Sequence, residues 1–525
     1  MATRFAGGVA LAIIALTVAL PAPAATTATS TTSSWTVYHG AVDGSGVSTS
    51  VTSFDLSRPA WTSPPLDGHL YGEPLVSGDR VFVATENNTV YALSSLSGAV
   101  VWSTHLGAPV PSTALPCGNI SPSVGITGTP VIDETRGELF VVADEFVAGL
   151  PAHVLVGLAT MSGRVLLSQA VDPARTSPAA LLQRTGLTLD SGNVVFGYGG
   201  NYGDCGAYRG WVVSVPEGGG TPATFAVDSG AGESQGAVWM GGAAPVVDTA
   251  GNVWVTVGNG SVTSASHPYD DSDSVLELSP SLALLQYFAP SSWASNNARD
   301  LDLSTAPALL SDGQVIAAGK TRAVYLLNSQ SLGGIGGQQA LLPDSCGDDF
   351  AGGVAVEGTT VYLPCGAGPI AVQAAAAPAG LRVLWHAAAG GGPPILAAGR
   401  VWTISEDGTL YGLDPATGNV VTHADVGSES NHFPTPAVGA GLLLAPSSSR
   451  VVAFAAPTAS TATTTTSTSA TSPHPTTTTT TTGIAAPSGS GLSGWAIAGI
   501  VIGGLVLAGS LAWLLYRRRR RAPNA

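Results

Sequence analysis

The sequence predicts an all-β fold, an eight-bladed β-propeller of four-stranded blades, followed by one C-terminal transmembrane helix. Three observations predict it. Short β-rich runs separated by Gly, Asp, Asn and Pro turns fill residues 35–456. A longer unit of roughly forty residues recurs through them, a period typical of propellers. A single long apolar run bordered by arginines lies near the end of the chain.

Residues 1–25 come first. A basic Arg4, an apolar stretch over 5–20 and the small residues Ala22, Pro23 and Ala24 have the layout of a cleavable signal peptide. The clearest repeat follows at 73–107, where EPLVSGDRVFVATENNTVYALSSLSGAVVWSTHLG gives four strand-like runs joined by three turns. The same grammar returns six more times, ending with PPILAAGRVWTISEDGTLYGLDPATGNVVTHADV. A final unit, TPAVGAGLLLAPSSSRVVAFAA, stops after three strands, while an orphan strand at 57–65 precedes the first blade. Together they are expected to close an eighth blade and remove an open edge. The propeller is thus assigned to residues 35–456.

Residues 457–490 are rich in Thr, Ser and Pro and have too little apolar character to form a core, so they read as a stalk. Residues 494–516 form an uncharged apolar run long enough to span a bilayer, with Trp495, Trp513 and Tyr516 suited to the interfaces. Five arginines open the tail at 517–525, and by the positive-inside rule that tail is cytoplasmic. The expectation is a single-pass type I protein of the cell membrane with an extracellular N-terminal ectodomain.

Setting aside Arg4 and the five tail arginines leaves 13 of the 19 basic residues against 34 acidic ones, a formal charge of −21. Nucleic acid is excluded as a partner, since little could neutralise its phosphates. The four cysteines of an exported chain are expected to form two disulfides out of three possible connectivities.

TVYALSSLSGAVVW and TLYGLDPATGNVV resemble the YxLDxxTGxxxW repeat of the pyrroloquinoline quinone (PQQ) type propeller superfamily. PCGNISPSVGITGTPVID and GYGGNYGDCGAYRGWVV more narrowly resemble exported PQQ-like repeat proteins of unassigned reaction. The resemblance implies that Trp102 and Trp385, at equivalent repeat positions, dock neighbouring blades. It also implies, as one reading, a quinone with Ca²⁺ at the propeller axis. Some alcohol-oxidising members stack that quinone on an adjacent Cys-Cys pair, which this sequence lacks, and no catalytic residue transfers by motif.

In such a blade, the turns after the first and third strands emerge on one face of the disc and the remaining connections on the other. The first set is minimal, whereas long loops at 108–127, 144–151, 200–209, 261–273, 291–302 and 340–349 elaborate the second face, where function is expected. Cys346 precedes the first strand of the sixth blade and Cys365 ends its second, so a hairpin pairs them. Cys117 enters the second blade and Cys205 leaves the second strand of the third, which pairs these two across the rim.

No set of residues forms a catalytic constellation. Asp270, Asp271 and Asp273 could gather oxygen ligands, but they lack the spacing of a calcium loop, so no metal is assigned and they stand as candidates only. Asp300 and Asp302 read as turn-capping carboxylates. Lys320, the chain's one lysine, reads as an ion-paired turn residue, and His153, His386, His423 and His432 as isolated. The expected function is therefore binding or scaffolding toward an extracellular protein, glycan or small ligand, with no cofactor. The alternative is a PQQ- and calcium-dependent dehydrogenase of alcohols or sugars.

Overall fold

A computed structural model describes residues 33–428 and 433–457. The expected signal peptide, the stalk beyond Pro457, the transmembrane helix, the basic tail and His432 lie outside the described residues. Among the described residues, no helix is long and apolar enough to cross a membrane.

Eight blades, each built on four antiparallel strands, make up the ring; in three of them a further short strand adds a fifth. The first blade runs Leu75–Ser77, Arg80–Ala84, Thr89–Ser94 and Val100–His105. The seventh runs Ile395–Ala397, Arg400–Ile404, Thr409–Leu413 and Val420–Asp425. The middle strands are buried on both sides, as in Val253–Val257, because each is covered by the blades on either side. Outer strands such as Val100–His105 are exposed at alternate positions or more, as a rim facing water requires.

A register shift recurs between the third and fourth strands of five blades, at residue pairs 92/93, 157/158, 277/278, 371/372 and 412/413. An extra residue there sharpens the twist of the outer strand, and its repetition marks it as part of the blade design.

The eighth blade is closed as expected. Ala437–Gly439, Leu442–Ser447 and Arg450–Ala455 are completed by Trp61–Thr62, with Trp61 opposite Ala453. Leu442 pairs with Ala455, so the chain leaves this blade on the face of the short turns.

Two expectations are corrected. Residues 144–151 are not a loop: the second blade's middle strands, Glu138–Val147 and Leu150–Ala159, form an unbroken ten-pair ladder around a turn at Ala148 and Gly149. Residues 291–302 contain a short helix, Trp293–Asn297, whose Trp293 is buried beside Val262 and Tyr269.

Residues 33–48 do not lie on the rim. They thread the inside of the ring, bonding inner strands in turn: Ala440 N–H to Ser33 O, Val76 to Trp35 in both directions, Ile132 to Thr36, Val247 to Val42, Val356 to Ser45 and Leu396 to Gly46, all at 2.8–2.9 Å. Val47–Ser48 ends the circuit as a parallel strand on Ile395–Ala397. The segment satisfies inner-strand amides that would otherwise face a water-filled channel.

Candidate functional site

The axis is where the resemblance implies a cofactor, and here the chain itself fills it. Trp35 Nε1 donates to Glu73 Oε1 at 2.7 Å and the His39 amide to Glu73 Oε2 at 2.8 Å. Tyr38 stacks on His39 with ring centroids 4.4 Å apart. Its hydroxyl accepts from the Gly353 amide at 3.1 Å and meets Thr435 Oγ1 at 3.3 Å. Burial pushes His39 down to about 4, and Glu73 well above the usual carboxylate range, against the lowering effect of its bonds to His39 and Trp35. His39 is therefore neutral at neutral pH, with Nδ1 2.9 Å from Val354 O.

Across the axis, Gly241 meets Gly352 so closely that a Cβ on Gly241 would lie 2.3 Å from Gly352 N, and its φ of +57° also favours glycine. A Cβ on Gly353 would lie 2.4 Å from the His39 ring. These axial residues do not fit a bound quinone. The Gly241 and Gly352 loops are in backbone contact, the Glu73 carboxyl is already bonded, and each cysteine is in a disulfide with a partner that is not its neighbour in sequence.

The second feature is a cleft of about 630 Å³ on the elaborated face, lined by Asn296, Arg299, Lys320, Arg322, Tyr325 and Asp349 among others. Lys320 Nζ lies 2.9 Å from Asp300 Oδ1 and 2.8 Å from Asp302 Oδ2. Burial pulls the ammonium pKa down, but Asp302 and Asp300 outweigh it and hold Lys320 protonated. A lysine so held is no general base at neutral pH. Trp239 Nε1 at 3.1 Å and the Asn259 amide at 2.7 Å also donate to Asp302, which makes this network a brace between the fourth and fifth blades. The cleft is polar and mixed in charge, suited to hydrogen-bonding a hydroxylated or zwitterionic group.

The remaining predicted residues are placed as follows. Cys117 bonds Cys205 and Cys346 bonds Cys365, all on the elaborated face. Trp102 Nε1 donates to Thr160 O of the second blade and Trp385 Nε1 to Pro415 O of the seventh. Trp61, not anticipated in this role, does the same to Ser95 O of the first. Asp273 accepts from Asn296 Nδ2 at 2.7 Å and from the Leu303 amide at 3.1 Å, and burial still pushes it up to about 8. Asp270 Oδ1 accepts from Ser272. Asp271 is partly buried beside them, and among the described residues no three His, Cys, Asp or Glu side chains converge as a metal site.

His153 is not isolated. Its Nε2 lies 3.2 Å from Asp144 and its Nδ1 2.6 Å from Asp172, with the ring edge-on to Tyr198. The hairpin register that sets Asp144 opposite His153 was the available signal.

A family model described as outer membrane protein assembly factor BamB matches residues 45–212 and 292–479, more than half of the sequence. The chain belongs to that family of PQQ-like propellers. No curated protein matches this BamB-family chain by sequence. By structure it is similar to a quinohemoprotein alcohol dehydrogenase of Pseudomonas putida, at 13% identity and a TM-score of 0.62 over 81% of this chain and 80% of that one. It is likewise similar to one of Comamonas testosteroni, at 14% identity and 0.59 over 80% of each chain. A europium-containing methanol dehydrogenase aligns at 13% identity and 0.58 over 81% of this chain and 98% of that one. At such identities the likeness is one of fold.

Proposed function

We propose that this propeller is a binding or scaffolding module at the cell surface, whose elaborated face engages an extracellular protein, glycan or small ligand. The observation that carries the reading is the filled axis. Trp35, Tyr38 and His39 are packed and hydrogen-bonded inside the ring, which supports a role other than holding a quinone there. What is left open is the elaborated face, with its long insertions, both disulfides and the polar cleft. The last described strand ends at Ala455, paired with Leu442 on the face of the short turns. Membership of a family described by an assembly factor accords with such a role. The signal peptide, the membrane helix and type I orientation are parts of the same proposal, as is the absence of nucleic acid among the partners of a strongly acidic ectodomain.

Two measurements on the full chain test it. Titration with PQQ and Ca²⁺ is expected to give no saturable heat; binding near one equivalent would restore the dehydrogenase alternative. Photo-crosslinkers replacing exposed Tyr202 and Arg322 on the elaborated face are expected to give cell-surface adducts, whereas one at Leu96 on the short-turn face gives none. Adducts from Leu96 alone would overturn the assignment of the face.

A further inference from the structure

Beside the cleft, on the same face, Asp228 is fully buried at 0% exposure, yet neither of its carboxylate oxygens has a hydrogen-bond partner. Asp270 is 3% exposed, and its Oδ2 is also without a partner. The two residues are tied by the Asp228 amide, which donates to Asp270 O at 3.2 Å. Their carboxylates lie against neighbouring glycines of one short ladder. A Cβ on Gly236 would be 3.0 Å from Asp228 Oδ1, and one on Gly260 would be 2.8 Å from Asp270 Oδ2. Gln235 bridges Gly260, and the Gly236 amide donates to Asn259 O, so the two walls belong to one rigid pairing.

Nothing nearby neutralises these oxygens. Arg209 reaches Asp228 only through its field and donates instead to Gly230 O. Glu233, which accepts from the Gly230 amide, and Asp271 add further negative charge. Taking a carboxylate out of water without a partner costs several kcal/mol, so such a group either keeps its proton or binds a cation.

We propose that Asp228 and Asp270 are the two carboxylate ligands of a Ca²⁺ ion that pins the 228–236 segment to the 259–273 loop. The chemistry selects a hard cation, because the ligands are oxygen and no His or Cys joins them. Two carboxylates supply only part of the six to eight oxygens that Ca²⁺ takes, so most of the shell would be water. Asp273, already bonded by Asn296 and Leu303, is not a ligand, which re-sorts the acidic loop read from sequence.

The test uses the full chain stripped with a chelator and titrated with CaCl₂. One equivalent is expected to bind, with a rise in the melting midpoint and with Tb³⁺ luminescence excited through nearby Tyr269 and competed away by Ca²⁺. Asp228→Asn is expected to weaken Ca²⁺ at least about tenfold, as loss of a charged ligand does. Asp270→Asn serves as the second variant should the first fail to fold. A chain whose midpoint, heat and luminescence ignore Ca²⁺ sinks the proposal, and so does Ca²⁺ binding that survives both substitutions unchanged.

Discussion

Replacing Trp35 with alanine tests whether residues 33–48 are an integral part of the ring. Trp35 is 2% exposed, packs within the core shared by the last and first two blades, and donates to Glu73 Oε1 at 2.7 Å. Deleting a buried Trp side chain costs about 3–5 kcal/mol through lost transfer energy and the cavity left behind. Leaving a buried carboxylate oxygen without its donor adds ~1–3 kcal/mol, although the His39 amide still bonds the other oxygen. At about 2.1 cal/mol/K per residue over roughly 420 ordered residues, the unfolding entropy is ~0.9 kcal/mol/K, so the midpoint falls by about 4–9 °C. Trp35→Phe separates the terms, since it keeps most of the packing and loses only the donor. Calorimetry of both variants against the wild type is the assay. A Trp35→Ala midpoint within about 1 °C of wild type refutes the reasoning, because a segment so easily spared does not fill the axis.

Lys320→Met leaves Asp302, 4% exposed, as a buried charge without its ion partner; a loss of about 3 kcal/mol in chemical denaturation is expected, at the low end for such pairs because Trp239 and Asn259 still donate. Asp300→Asn, at a side chain 60% exposed, is expected to stay within about 1 kcal/mol. Removing both cysteines of the 88-residue loop is expected to cost more than removing those of the 19-residue loop, about 4.6 against 3.2 kcal/mol on chain-entropy grounds, and denaturation midpoints would show the order. Burial lowers the His153 pKa, but Asp144 and Asp172 outweigh it and raise the value above 6.5. Its stabilising contribution is thus full below pH 6.5 and is lost as pH rises through the raised value. Asp144, which burial raises to about 6, also favours the folded state at lower pH. Stability should fall on the alkaline side in the wild type, and less so in His153→Gln.

The blades were legible because a strand, a tight turn and a docking tryptophan each leave local marks, and Trp102 and Trp385 stand at the same place in their repeats. Trp61 performs the same task but was obscure in that role, because its strand comes from the opposite end of the chain. Cys346–Cys365 followed from hairpin topology and Cys117–Cys205 from the order of neighbouring blades. The partners of His153 could not be seen as such: Asp144 and Asp172 lie nine residues before it and nineteen after, and only the ladder register and the following strand bring them together. Residues 33–48 were the hardest to place. They join the inner strands through main-chain carbonyls, which leave no periodic side-chain pattern, and their glycines read as an ordinary loop. Asp228 lies outside the acidic run that drew attention, and its importance is visible only as a carboxylate buried without partners.

The way the ring is shut has a consequence for how it is made. Trp61 and Ser63 pair with residues near 450, and the Val451 amide donates to Ser63 Oγ across 388 positions of sequence. The segment that lines the inside reaches six of the eight blades, the last of them included. A nascent chain therefore emits its closing strand first and has nothing to close against until the final blade has emerged. Early blades can form locally, but their free edges and the apolar Trp35 and Trp61 stay exposed throughout synthesis, the condition under which β-rich chains meet partners other than themselves. Completion is a single late event, and a chain truncated before residue 450 is left as an open arc.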